Sequence, residues 1–255
     1  MTDDLLCAVV LAAGEGARLR PLSGLRPKPL CPVDNVPLVD HALGRVRTVT
    51  TDVAVNLHHG RDEIAAHLDG SPVHLSVEET EPLGTSGALG LLRPWIDGRS
   101  LVVVNADTWC PGSLEPALAG WDRERVRVLV VDDDVLRPGS RVAGAFMPWS
   151  EVDRLEPKPS GLYEASWRRL AAADRIDVVR WDGPCIDCGN PARYLAANLT
   201  ASGGASVIGP GAVVQGTVEH SVVWDGAEVL PGEHLVDAIR ADGRTTVLVR
   251  SRVSG

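Results

Sequence analysis

Apolar residues fall into two different rhythms along the chain. Residues 6–11 (LCAVVL) are continuously apolar and end at Ala12-Ala13-Gly14, as a strand buried on both faces of a parallel sheet reads. Residues 53–57, 73–77, 101–105 and 126–131 are expected as further strands. Between them, apolar positions recur at helical spacing over 37–46, through Leu38, Ala42, Leu43 and Val46, and again over 62–68, 86–92 and 114–121. This alternation predicts right-handed β-α-β units, hence an α/β fold with a mostly parallel central sheet covered on both sides. After about residue 140 the pattern loosens into short strands over 143–147, 152–155 and 178–180 and helices over 165–172 and 191–201. Ser202-Gly203-Gly204 ends the helical pattern.

Beyond that junction small β-branched residues return at near-hexapeptide steps: Ile208-Gly-Pro-Gly, Val214-Gln-Gly, Val223-Trp-Asp-Gly, Val229-Leu-Pro-Gly and Leu235. This predicts a short left-handed parallel β-helix, giving a main domain over 1–201 and a tail over 206–255. So few coils cannot bury a core alone, so the tail must dock on the main domain or on a second copy in a homodimer. Its role is expected to be structural, at a distance from Lys28 and Asp107.

Charge narrows the partners. The chain carries a formal −9 over 255 residues with no basic block, which argues against nucleic acid, and no apolar run approaches the ~18 residues of a membrane span. Five cysteines without a signal-peptide pattern suit a reduced, cytoplasmic protein, and Cys185-x-x-Cys188 lacks two further ligands for zinc. Of the 25 basic residues only Lys28 and Lys158 are lysines. An ammonium is not interchangeable with a guanidinium, so both positions call for a reason.

One reason lies after the first strand, in Leu11-Ala-Ala-Gly14-Glu-Gly16-Ala-Arg18-Leu-Arg20-Pro-Leu followed by Pro27-Lys28-Pro29-Leu30. A glycine-rich loop at the carboxyl end of a strand lets backbone N–H groups approach phosphate, and Arg18 with a lysine held between prolines adds cations in a stiff frame. The spacing fits neither the dinucleotide fingerprint nor a P-loop.

These residues resemble the signature of the sugar-1-phosphate nucleotidyltransferases, LAAG-x-G-T-R-L-x-P-L with PKPL-x-PV. The resemblance continues through Asn56-Leu-His, Glu81-Pro-Leu-Gly84-Thr-Ser-Gly87, Asn105-Ala-Asp107, Asp187-Cys-Gly189 and the tail. It implies a Rossmann-like, GT-A-like nucleotidyltransferase domain. It implies that Leu11, Ala12, Ala13, Gly14, Gly16, Glu81, Gly84, Thr85 and Ala106 hold the nucleotide, and that Arg18 and Lys28 are catalytic cations on its phosphates. Asn105, Glu156 and Lys158 would bind the sugar phosphate, and Asp107 and Asp187 would hold Mg²⁺. The implied reaction joins an NTP to a sugar 1-phosphate, giving an NDP-sugar and pyrophosphate. The Glu81 segment and the tail resemble the guanylyltransferases, whereas Asn105-Ala-Asp107-Thr-Trp109 resembles the muramic-acid uridylyltransferases, so GTP is expected ahead of UTP.

The chain departs from the pattern at Ala17 and Asn190, where the family has Thr, and at Glu156-Pro-Lys158, where it often has Glu-Lys-Pro. The lost hydroxyls keep a non-catalytic nucleotide-sugar-binding regulatory subunit open as an alternative. Acyl transfer by the tail, which bifunctional relatives perform, is disfavoured because the tail is too short. His58-His59 is read as a turn or sugar-rim contact rather than a metal site, Asp132-Asp133-Asp134 as a solvated turn, and Trp109 equally as a sugar platform or a cover.

Overall fold

Seven of the expected strands form one sheet in the computed structural model, which describes residues 5–243 and 245–249. In chain order they are β1 (Leu6–Leu11), β2 (Val53–Leu57), β3 (His74–Val77), β4 (Ser100–Asn105), β5 (Val126–Val131), β6 (Val142–Met147) and β7 (Ile176–Trp181). Their spatial order is β7-β5-β6-β4-β1-β2-β3. Every neighbouring pair is parallel except those of β6, which runs antiparallel to β4 and β5. Helices α1 (Leu38–Val46), α2 (Arg61–His67) and α3 (Gly84–Ile96) follow β1, β2 and β3, as the alternation requires. Continuous apolar runs such as that of β1 are buried almost throughout, which is why they read so plainly.

The expected strand over 152–155 is corrected. Trp149–Val152 is a helical turn, and Trp149, Val152 and Leu155 send their side chains into the sheet's core at steps of three. The helix expected over 165–172 begins earlier, with a one-turn π-helix at Tyr163–Trp167 that passes into Arg168–Ala172.

Internal contacts divide the chain into two units. Unit 1 holds the sheet, with the described residues up to Gly14, Val39–Ala106 and Cys110–Cys185. Unit 2 gathers Glu15–Leu38, Asp107–Trp109 and the described residues from Ile186 onward. The boundary expected near residues 201–206 falls inside unit 2, and residues 244 and 250–255 of the expected tail lie outside the described residues.

Unit 2 is knitted by short elements. Asp187 and Ile186 pair antiparallel with Thr108 and Trp109, and α4 (Pro191–Ala201) starts at Asn190, whose Oδ1 accepts from the Arg193 N–H at 2.9 Å. The tail is β-helix-like: Val207 faces Val222, Val213 faces Glu228, Thr217 faces His234, and Val222 faces Ile239, all parallel. A last strand, Thr245–Leu248, turns back antiparallel on Ala238–Ala241.

The tail docks on the rest of unit 2, the first of the two arrangements expected for it. Val207, Val222, Trp224 and Ile239 share one core with Leu19, Leu22, Cys31 and Val33, from the segment that carries the lysine. The Trp224 indole N–H donates to the Tyr194 hydroxyl at 2.9 Å, and that hydroxyl donates to the Pro32 carbonyl. The tail also has a small interior of its own, in Val223, Ala227, Val229, Leu235 and Ala238, which corrects the expectation that its coils bury no core alone: one set of its apolar residues packs inside and another covers the lysine segment.

Candidate active site

In unit 1 the loop after β1 is tied down by a buried polar chain. The Ala12 N–H donates to Asn56 Oδ1 at 2.8 Å, Asn56 Nδ2 donates to Glu78 Oε1 at 2.6 Å, and Glu78 Oε2 accepts from the Leu83 N–H at 2.7 Å. One fully buried carboxylate thereby joins the Ala12 loop to the segment that opens α3. Glu78 was not among the expected site residues. Within Glu78-Glu79-Thr80-Glu81 it looks like one more solvated acid, and only its place directly after a strand hinted otherwise. Glu81 itself is exposed. His59 Nδ1 hydrogen-bonds to the Ala13 carbonyl at 3.0 Å and His58 Nδ1 to that of Glu78 at 2.6 Å, so both rings serve the loop backbone. Ala106, buried, donates its N–H to the Leu11 carbonyl at 2.9 Å. Gly84 and Thr85 begin α3, and Thr85 Oγ1 accepts from the Leu162 N–H at 2.9 Å.

Unit 2 brings together the expected cations and carboxylates. Lys28 Nζ lies 2.7 Å from Asp107 Oδ2 and 3.4 Å from Asp187 Oδ1, with its stem buried. Arg193 and Arg18 approach Asp187 Oδ2 at 3.3 and 4.0 Å. The carboxylates stand 80 positions apart in the chain, yet the short ladder between Thr108-Trp109 and Ile186-Asp187 and a Cys188 N–H to Asp107 carbonyl bond of 3.0 Å hold them on one backbone frame. Gly16 adopts φ +67°, and a Cβ there would press on Lys28 Cβ at 3.0 Å. Arg193 is a contact the sequence did not suggest; Asn190, in place of a threonine, positions it by capping α4.

Among the described residues no cluster of three or more His, Cys, Asp or Glu side chains forms a complete metal cage. Two carboxylates converging on one cation, here the Lys28 ammonium, are nevertheless the donor set that Mg²⁺ accepts when substrate phosphates complete its shell. Cys188 and Cys31 take no part. Burial pushes both thiols up to about 12, which keeps them protonated at neutral pH.

The sugar-phosphate candidates separate. Asn105 lines a cavity of about 260 Å³ in unit 1, at the end of β4. Glu156 and Lys158 do not line it; they pair with each other at 2.6 Å in solvent, each favouring the other's charged form. Trp109 is buried in the core of unit 2 with Leu19 and Leu22, so its ring packs there and is not a sugar platform.

Comparison with known proteins shows the family. The family model of the MobA-like NTP transferase domain matches residues 8–249. The N-acetylmuramate alpha-1-phosphate uridylyltransferase of Caulobacter vibrioides is 29% identical over 74% of this chain and 94% of its own length. The mannose-1-phosphate guanylyltransferase of Mycobacterium tuberculosis is 27% identical over 90% of this chain and 73% of its own. A putative glucose-1-phosphate thymidylyltransferase from Bacillus anthracis, solved as a crystal structure, shares the fold with a TM-score of 0.64 at 18% identity, over 77% of this chain and 95% of its own. No helix among the described residues is long and apolar enough to cross a membrane.

Proposed function

Because the chain belongs to the MobA-like NTP transferase domain family, we propose that it transfers a nucleotidyl group from an NTP, GTP ahead of UTP, to a sugar 1-phosphate and releases pyrophosphate. The observation that carries this reading is the Lys28 ammonium between Asp107 and Asp187, within reach of Arg193 and Arg18.

A phosphate oxygen of the sugar 1-phosphate forms a bond to the nucleotide α-phosphorus in line, while the bond from that phosphorus to the α,β-bridging oxygen breaks. The attacking oxygen is already anionic, so no side chain has to remove a proton. The residues' work is to position and to neutralise. Lys28 and Arg18 balance charge on the α-phosphate and on the departing pyrophosphate. Asp107 and Asp187 are the residues that would hold Mg²⁺, which when bound supplies charge neutralisation across the phosphate oxygens. The backbone of Leu11, Ala12, Ala13, Gly14 and Gly16, with Glu81, Gly84, Thr85 and Ala106, holds the nucleoside side of the donor, and Asn105 meets the sugar.

GTP ranks first because the Glu81-Pro-Leu-Gly84-Thr-Ser-Gly87 segment and the tail resemble the guanylyltransferases, while relatives of both kinds match the chain. A homodimer belongs to the reading too, although the exposed Ile208, Val213 and Val236 lie on three separate sheets of the tail and form no single patch for it.

The test is a pyrophosphate-release assay of five NTPs against hexose, hexosamine and cyclitol 1-phosphates in Mg²⁺. Release with GTP and one class of sugar phosphate is expected. Tight nucleotide-sugar binding with no release from any pair would establish the regulatory-subunit alternative instead.

A further inference from the structure

The 260 Å³ cavity of unit 1 lies just under the roughly 300–1,000 Å³ of pockets that take drug-sized ligands, which suits a single sugar ring. Its polar lining consists of Asn105, Thr85, Ser140, Tyr163 and Glu164, with the Trp167 indole beside them. Resting on the transferase reading above, we propose that this cavity selects a neutral, polyhydroxylated sugar ring and refuses one bearing a carboxylate, and that Glu164 decides between them.

Charge carries the inference. Glu164 is the one cavity-lining residue with a charge, and no Lys, Arg or His lines the cavity. Two arginines that follow it in the chain are committed elsewhere: Arg169 and Arg175 approach the buried Glu151 at 2.6 and 3.6 Å. A free carboxylate is an acceptor only, so its two oxygens suit the paired O–H donors of a vicinal diol. Asn105, Ser140 and Thr85 add neutral donors and acceptors, and Trp167 and Tyr163 add aromatic lining. A second carboxylate brought within ~6 Å of Glu164 at an effective dielectric near 20 is opposed by about 100-fold in affinity, and no lining cation offsets it.

Local backbone makes the presentation specific. Tyr163–Trp167 is a π-helical turn, and this single turn delivers Tyr163, Glu164 and Trp167 to the same cavity. The strap that leads into it is clamped on α3. The Ser86 N–H donates to the Ser160 carbonyl at 3.0 Å, the Ser160 N–H donates to the Leu83 carbonyl at 2.9 Å, and a Cβ on Gly87 or Gly90 would run into the backbone of Lys158 or Glu156. Glu164 therefore stands on a fixed base.

The experiment compares matched pairs, glucose, mannose and galactose 1-phosphates against their uronic-acid 1-phosphates, by kcat/KM and in parallel by isothermal titration of each sugar phosphate to the whole protein. The best neutral sugar should exceed its acid by about 100-fold in both. Glu164→Gln should raise KM for the neutral sugar about tenfold, leave KM for the nucleotide unchanged and shrink the ratio below tenfold, whereas Glu164→Asp should keep the ratio. Equal or better use or binding of the acid by the wild-type protein, no binding of any neutral sugar phosphate, or an unchanged ratio in Glu164→Gln would overturn the proposal. Discrimination in binding without turnover would leave it standing and count against the transferase reading alone.

Discussion

Arg26 lies with its guanidinium carbon 4.8 Å from the centre of the Trp224 ring, so the tail grips the chain two residues before Lys28. The same guanidinium donates to Asp225 Oδ1 at 2.9 Å. Trp224→Ala removes this stacking, the bond to Tyr194 and a fully buried indole at once. It should cost about 3–5 kcal/mol in urea unfolding. Asp225→Asn, which loses only a half-exposed ion pair, should stay within about 1 kcal/mol. Equal effects from the two would contradict the packing described for the tail.

Truncation after Ala201 strips the cover from Leu19, Leu22, Cys31 and Val33. The fragment is expected to aggregate or to lose its cooperative melt. A soluble, monomeric 1–201 fragment with the parent Tm would refute the shared core.

Lys28→Met removes the ammonium that both carboxylates face. Pyrophosphate release should fall by at least about 100–1,000-fold, the loss typical for one electrostatic group at a reacting centre. The far-UV circular dichroism spectrum should stay native. A spectrum of an unfolded chain would make the lysine structural.

Activity should need Mg²⁺ or Mn²⁺ and vanish in EDTA, and Asp107→Asn should cost orders of magnitude in kcat because it removes a charged ligand. Full turnover in EDTA would sink the metal assignment for Asp107 and Asp187.

Alkali should unfold the protein through its buried thiols. Cys7, Cys31 and Cys188 are raised by burial from 9.0 to about 12, so the folded state holds these protons more tightly than the unfolded chain does. The stability they lend is complete below pH 9 and is lost as pH climbs from 9 toward 12. Tm should fall over that window, more gently in Cys31→Ala/Cys188→Ala, and Ellman's reagent should leave both thiols of the native protein untouched at pH 8. Rapid labelling of either would contradict their burial.

Much of this was legible in the chain because single elements announce themselves. The burial of β1 on both faces forces a continuous apolar run, and α4 carries its own start in Asn190-Pro191. Lys28, Asp107 and Asp187 were found by motif, although nothing in their spacing says that the lysine bridges the acids. The stretch 152–155 reads as a strand, and the helical turn Trp149–Val152 before it goes unseen, because three-residue steps and alternation look alike over so short a stretch. Glu78 was missed because its burial depends on Asn56, 22 residues earlier, and no local pattern records that partner.

The four-residue ladder that unites Asp107 with Asp187 closes a long excursion of the chain. Everything between Cys110 and Cys185 belongs to unit 1, so the chain leaves the charged centre at one rung and re-enters it at the facing one. The intervening segment supplies β5, β6 and β7 to the sheet and Tyr163, Glu164 and Trp167 to the cavity. The ladder is the clasp of that excursion, and residues added within it would lengthen the loop it closes at an entropic cost that grows only slowly with length.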